Sequence, residues 1–305
     1  MTHWLLPEQA YLFAQLTTTS LALGLRDIVT PEVRTARTHN ALMAAGNTFA
    51  GMPAALAVLQ PANEVDLGII SLTVAGPFRR IGLARELLIW LQTEAQRLGF
   101  TSLSLSYPLG HSSTTAMKKL TAGWQISPSL RLVTFDRAGG VALTRRLKPL
   151  ASRWLRSGRF SLVRWESIDS DLRYLLELRQ QEAPPWAWPD RADMTFEQRD
   201  DMISQVLVDQ EDGVVGWLIA HRVGQSLFRV TQWWVATQWQ GRGLALVLLR
   251  QAVIDALQSQ PSYLSGSFGV AHDSKAMLQL CSQHLEPLAS RVQSNQRAYW
   301  TYTKS

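Results

Sequence analysis

Apolar and polar positions along the chain alternate between a helical and a strand period, and they do so twice in the same order. Residues 8–23 carry apolar residues at helical spacing, and residues 54–60 form an apolar run that predicts a strand. Residues 24–46, between them, show no period that assigns an element. A β-branched run predicts a strand over 67–74. Ala84, Leu87, Leu88, Leu91, Ala95 and Leu98 then share one helical face, and Gly99 is placed to end that helix. A strand over 102–107, a short helix over 114–122 and a strand over 130–135 follow.

The pattern then restarts. It predicts a strand over 160–165, a helix over 172–179, and a second helix over 195–204 with Thr195 and Gln198 in capping-box spacing. Residues 206–209 and 214–221 read as a hairpin turning at Glu211-Asp212-Gly213. A strand over 228–235 leads to a helix whose apolar face is Ala245, Leu248, Leu249, Ala252 and Ala256, stopped by Pro261. A strand over 263–270, a helix over 274–285 and a strand over 290–302 complete the chain.

The two passes are a sequence repeat. Val74-Ala75-Gly76-Pro77-Phe78-Arg79-Arg80-Ile81-Gly82-Leu83-Ala84 aligns, 161 residues on, with Val235-Ala236-Thr237-Gln238-Trp239-Gln240-Gly241-Arg242-Gly243-Leu244-Ala245. At the same offset Leu87, Leu88 and His111 meet Leu248, Leu249 and His272. One short glycine pattern occurs by chance, but two in register with matching flanks mark a duplicated unit.

Charge separates the copies. The chain has 305 residues and a formal net charge of +6. Residues 137–165 hold eight basic residues and no acid: Arg137, Arg145, Arg146, Lys148, Arg153, Arg156, Arg159 and Arg164. The basicity is local, so a general nucleic-acid-binding surface is not expected. Gly139-Gly140 and Pro149 interrupt this stretch, while Leu143, Leu147, Leu150 and Trp154 give it an apolar stripe. The expected organisation is an N-terminal domain over 1–138, a basic linker over 139–159 and a C-terminal domain over 160–305. The linker's stripe packs on a domain, or its arginines form an anion surface.

Composition is that of a globular protein, 46% hydrophobic and 18% charged. The single cysteine, Cys281, rules out an internal disulfide and a cysteine-based metal cluster. No segment reads as a membrane span, and no basic stretch precedes an apolar one at the N-terminus, so a soluble, cytoplasmic protein is expected.

A glycine loop that turns a strand into a helix aims several backbone N–H groups, and the helix dipole, at one point, which suits a pyrophosphate. A Cβ at Gly82 or Gly243 would hinder that approach. Neither copy ends in Gly-Lys-Ser/Thr as a P-loop does, and Leu246 stands where a dinucleotide turn needs its third glycine.

The order strand, V-x-x-x-aromatic-[RQ]-x-x-G-x-[GA], helix, strand, helix instead resembles the GNAT superfamily of acyl-CoA-dependent N-acyltransferases. Arg79, Gly82 and Ala84, and Gln240, Gly243 and Ala245, carry the likeness. It covers about residues 50–136 and most of 160–302. The resemblance implies an α/β protein with two tandem GNAT-like domains, each a mixed, mostly antiparallel sheet flanked by helices. It implies acetyl-CoA, or another acyl-CoA, as ligand of both loops: Arg79, Arg80, Ile81, Gly82, Leu83 and Ala84 in one, Gln240, Gly241, Arg242, Gly243, Leu244 and Ala245 in the other. It also implies that main chain at Leu72, Thr73 and Val74, and at Trp233, Trp234 and Val235, faces the thioester.

The chain departs from the family at the usual acid and base. Where the family often has a tyrosine on its last helix, Leu120 and Leu280 stand; where it often has a strand glutamate, Ile70 and Thr231 stand. His111 and His272 follow the second strand of each copy, and His272 is the candidate base. The alternative for both is a helix cap. Trp186 and Trp188, beside eight acids between Asp190 and Asp212, suit a small-molecule or peptide amine acceptor. These features predict N-acyl transfer to an amine in the C-terminal domain. The rivals are a non-catalytic acyl-CoA sensor and an aminoacyl- or cysteinyl-ligand transferase.

Overall fold

The structure is a computed structural model, and it describes residues 2–31, 42–62, 64–189, 198–223, 226–259 and 263–302. The chain forms two compact units. The described residues up to 129 and from 295 onward make the first; those from 130 to 189 and from 198 to 294 make the second.

In the first unit, β1 (Thr2–Trp4), β2 (Met43–Phe49), β3 (Met52–Pro61), β4 (Asp66–Val74) and β5 (Ser102–Pro108) lie side by side in that order. All neighbours are antiparallel except β4 and β5, which are parallel. Strand alternation divides the core in two. Met43, Ala45, Ala57 and Leu59 face α3 (Leu83–Arg97), which buries Leu83, Leu87, Leu88, Leu91 and Ala95. Their neighbours Ala44, Leu56 and Val58 face the opposite way, onto Leu5, Ala10, Phe13, Leu16, Leu25 and Ile28. The helix expected over 8–23 is three pieces, α1 (Pro7–Ala10), a 3-10 turn over Tyr11–Leu16 and α2 (Thr19–Gly24), broken where Thr17 turns extended. Strand β2 falls in the stretch that the sequence left unassigned. Its Gly46 lets Phe13 and Leu5 close in to where a Cβ would sit, at 2.8 and 2.9 Å. Helix α4 (Thr114–Leu120) and the short β6 (Gln125–Ile126) complete the local chain.

In the second unit the order is β7 (Leu130–Asp136), β13 (Ser265–Ala271), β12 (Leu227–Val235), β11 (Gly213–Val223), β10 (Gln205–Asp209) and β8 (Phe160–Arg164), with β9 (Gln198–Arg199) pairing β11. Again one pair, β12 with β13, is parallel. Helix α8 (Leu244–Gln258) packs on the sheet. Its outer side is covered by α5 (Arg137–Arg146) and α6 (Lys148–Leu155). Helix α7 (Ser170–Gln180) lies against β11, and α9 (Lys275–Leu280) follows β13.

Three expectations change here. The basic stretch at 139–159 is no linker: it forms α5 and α6 inside the second unit. Gly139 and Gly140 sit within α5, where a Cβ on Gly139 would meet the Leu288 carbonyl at 2.4 Å, so they allow close packing and do not end an element. The last strand of each copy also belongs with the other copy's sheet. Strand β7 pairs β13 over seven residues, from Ser265↔Asp136 to Ala271↔Leu130. The chain's final strand, β14 (Arg291–Thr301), pairs β5 from Asn295↔Pro108 to Thr301↔Ser102. Arg297 there donates to Asp66, which also accepts from Ser102 and Ser104. Finally, no helix runs through 198–204: Gln198 and Arg199 are strand, and Asp200–Ser204 is a turn. Residues 195–197 lie outside the described residues.

Candidate functional site

Each unit opens its sheet at one place, by the same device. Strands β4 and β5 pair in parallel only from Asp66↔Ser102 to Ile69↔Leu105. There the register of β3 against β4 slips, and Ile70 is left without a partner. In the second unit β12 and β13 pair from Leu227↔Ser265 to Val230↔Phe268, and the next residue, Thr231, is the one skipped. A bulge sharpens the local twist and ends pairing. Beyond it Leu72, Thr73 and Val74, and Trp233, Trp234 and Val235, keep a strand partner on one side only. The other edge offers unpaired backbone groups to an extended ligand.

The loops end these open strands. Arg79 Nε donates to the Val74 carbonyl at 3.1 Å, and Gln240 Nε2 to the Val235 carbonyl at 2.8 Å. The shared polar residue therefore ties the loop back to the end of its strand. Gly82 and Gly243 are the N-caps of α3 and α8, with φ of +97° and +85°, and no side chain caps either helix. The first N–H groups of both helices are thus left for a ligand. Arg80, at φ +70°, adopts the left-handed conformation that Gly241, at φ +73°, adopts in the second loop.

The loops differ in what surrounds them. A Cβ on Gly82 or Gly241 would meet nothing within 4 Å, whereas one on Gly243 would meet Leu150 of α6 at 3.0 Å. Trp154 of the same helix donates to the Arg242 carbonyl at 3.1 Å. The Trp233 indole leans across the opening, donating to the Ala245 carbonyl at 2.9 Å with its ring edge-on to Phe268. The first loop is open at the glycine that starts its helix. In the second, Gly241 offers the same open approach, with Leu150 and Trp233 as its walls.

Residues 172–280 match the acetyltransferase (GNAT) family. That match lies in the second copy of the repeat. Over its full length the chain is similar to a tandem GNAT protein from the clavulanic acid biosynthesis pathway, at 15% identity, with 100% of this chain and 99% of that chain covered and a TM-score of 0.63. A GCN5-related N-acetyltransferase from Sphaerobacter thermophilus gives 16% identity, 100% and 97% coverage and 0.62. A glucosamine N-acetyltransferase region of a fungal multi-domain β-N-acetylglucosaminidase gives 11%, 98% and 38% coverage and 0.63. At such identities the likeness is one of fold. No curated protein matches the sequence.

One face of the second unit's sheet gathers aromatic and polar side chains beside the bulge. Trp217 stacks on Trp234, ring centroids 4.5 Å apart, and donates to the Ala187 carbonyl at 2.7 Å, so both face the 185–187 turn. Two-residue alternation puts Ile219 and His221 of β11, and Gln232 of β12, on that same face. His221 Nδ1 lies 2.8 Å from Thr231 Oγ, and Thr231 donates to Gln232 Oε1 at 2.5 Å. Burial, with Arg199 and Arg229 nearby, lowers His221 to about 4. Sequence reading missed this cluster. Its signal was Thr231 itself, the polar residue at the bulge, but the partner ten residues away is visible only once β11 and β12 are paired.

The residues expected to act are arranged differently. His272 is exposed and its Nε2 lies 3.2 Å from Ser294 Oγ. His111 caps its own loop through Ser113 and Thr114. Trp188 donates to the Ala183 carbonyl at 3.0 Å and keeps an exposed ring; the Trp186 side chain lies outside the described residues. So do Asp190, Asp193 and Glu197. The other five acids of that cluster already have partners. Asp200 binds Tyr263 and Arg222, Asp201 binds Arg199, Asp209 and Glu211 bind Arg159, and Asp212 accepts from Trp239. Each of these five is engaged by a cation, an indole or a phenol of the fold. Cys281 is buried, and burial pushes its thiol up to about 12, away from the thiolate that a nucleophile needs.

Proposed function

We propose that this protein transfers an acyl group, acetyl in the first instance, from acyl-CoA to a primary amine, and that the second unit does the chemistry. The supporting observation is an asymmetry at the bulge. There the second unit carries His221, Thr231 and Gln232 on its acceptor face, whereas the residues at those positions in the first copy are Gln60, Ile70 and Ser71. The loop residues 240–245 hold the CoA phosphates through backbone N–H groups, and the open edge at 233–235 aligns the thioester. The bound thioester supplies the activated acyl carbon; the protein's part is to exclude water and hold the amine in line with that carbon. The first loop binds a second CoA or has a structural role.

A matched pair of variants tests this. Arg80→Asp and Gly241→Asp each put a carboxylate at a left-handed loop position that Asp tolerates and that faces open space. Calorimetry with acetyl-CoA is expected to lose one site in each. Thiol release with a panel of amines is expected to vanish in Gly241→Asp and largely persist in Arg80→Asp. A second reading, CoA sensing without turnover, draws on Leu150 against Gly243 and on the missing strand glutamate. It predicts binding with no thiol release for any amine.

A further inference from the structure

The hydrogen bonds at the bulge have a direction. Thr231 has one hydroxyl proton, and both its short bond to Gln232 Oε1 and a longer one to the Ile219 carbonyl, at 3.4 Å, have it as donor. Toward His221 the same oxygen must therefore accept, so Nδ1 of the imidazole carries the proton. That leaves Nε2 as a bare lone pair, with no partner among the described residues. At the other end, Gln232 Nε2 is a buried donor, 1% exposed as a residue, and it too has no partner among the described residues. A buried donor left unmet at the end of three ordered polar side chains calls for a partner that the described residues do not supply. The charged groups around His221 are Arg199, opposite it on β9, Arg229, opposite it on β12, and Asp201.

We propose that His221 and Gln232 form the acceptor subsite: His221 Nε2 accepts a hydrogen bond from the N–H of the neutral amine, and Gln232 Nε2 donates to an oxygen that the same substrate carries close to its nitrogen. This rests on the acyl-transfer reading above and names its substrate class, primary amines with a neighbouring carbonyl or hydroxyl, such as amino amides and amino alcohols. The His221 bond turns the nitrogen lone pair toward the thioester carbon. The C–N bond forms and the C–S bond breaks. The nitrogen gives up one proton to water, and the departing sulfur takes one up, so the exchange balances. His221 stays neutral throughout, because burial and two arginines disfavour its cation. That distinguishes it from a general base, which would have to take the proton and hold it.

The test uses the full chain labelled with nitrogen-15 at histidine, and two probe sets, small amino amides and the matching plain alkylamines. Between pH 6 and 8 the His221 resonances are expected to report a neutral ring protonated at Nδ1, with the Nε2 signal shifting when the best amino amide saturates. His221→Phe is expected to lower kcat/KM for that amine at least tenfold with the Kd of CoA unchanged, and His221→Gln, which restores an acceptor oxygen, to recover part of it. The wild type is expected to favour amino amides over alkylamines, and Gln232→Leu to erase the preference. Any one of three results overturns the proposal: a ring protonated at Nε2, an unchanged kcat/KM in His221→Phe, or a near-neutral rate limb that His221→Gln abolishes. Should His221→Phe also lose CoA binding, His221→Gln decides alone. Thiol release absent with every amine in the wild type sinks the acyl-transfer reading, and this role with it; release that survives both His221 variants leaves that reading intact and removes only this one.

Discussion

Helices α3 and α8 begin at equivalent glycines, are the same length and follow the same loop, yet one is amphipathic and the other is buried nearly all round. In α3, Arg85, Glu86 and Ile89 face solvent. Their counterparts in α8 are Leu246, Val247 and Arg250. Leu246 and Val247 are buried, and the Arg250 guanidinium reaches the Thr144 carbonyl of α5 at 3.0 Å. Burial lowers the Arg250 side chain from its ordinary value. The difference teaches that a repeat keeps its backbone where a ligand reads backbone, and changes its side chains wherever new neighbours arrive. The basic segment between the copies is that neighbour. Its apolar stripe, Leu143, Leu147, Leu150 and Trp154, turns toward α8 and the second loop, while Arg145, Arg146, Lys148, Arg153 and Arg156 stay outside.

The largest test of this comparison is to cut the chain where the sequence and the structure disagree. A fragment over 160–305 lacks β7, α5 and α6, so it bares the β13 edge and the outer face of α8. It is expected to be unfolded or aggregated by circular dichroism and gel filtration. A fragment over 130–294 keeps all three and is expected to melt cooperatively. Equal behaviour of the two would mean that the covering helices contribute nothing.

Exchanging matched residues sharpens the same point. Leu246→Arg places in α8 the residue that α3 carries at Arg85, and an unpaired charge under α5 and α6 is expected to cost about 3–5 kcal/mol in denaturant unfolding. Arg85→Leu, on an exposed face, is expected to shift stability by less than ~0.5 kcal/mol.

Acid separates the units next. His221 has a folded value of about 4 against about 6.5 unfolded, so below about pH 6.5 the unfolded chain binds the extra proton. The fold is expected to lose up to about 3 kcal/mol between pH 6.5 and 4 on this account. His221→Gln, which has no such proton, is expected to flatten that part of the stability curve. The residue at this position in the first copy is Gln60, so no matching term arises there.

The smallest effect lies in the loops. Arg80 holds a left-handed backbone that Gly241 adopts freely. Arg80→Gly is expected to gain, and Gly241→Ala to lose, up to about 1 kcal/mol in thermal unfolding, a few degrees at most in melting temperature.

Much of the fold is legible in the residues because its signals are local. The strand-loop-helix grammar appears twice, the positive-φ glycines stand where the loops need them, and the hairpin at 205–223 follows from its turn residues and flanking alternation. The polar cluster at the second bulge was far less legible. His221 reads as one polar residue in an apolar strand, and the acids after Asp190 read as a binding surface, although those described are taken up by Arg159, Arg199, Arg222, Trp239 and Tyr263. Spacing along a chain does not say which cation an acid will meet.

The sequence by itself determined where the two glycine turns, the helices that follow them and the open strands before them fall, because those depend on glycine conformations and on periods of two and 3.6 residues that neighbours enforce. Tertiary structure alone decided that β7 pairs β13 and β14 pairs β5, that α5 and α6 cover α8, and that His221 meets Thr231. Apolar alternation tells a strand that one face must be buried, but it carries no record of the partner. The partner is chosen by which pairing buries most surface and satisfies most backbone groups across the whole sheet.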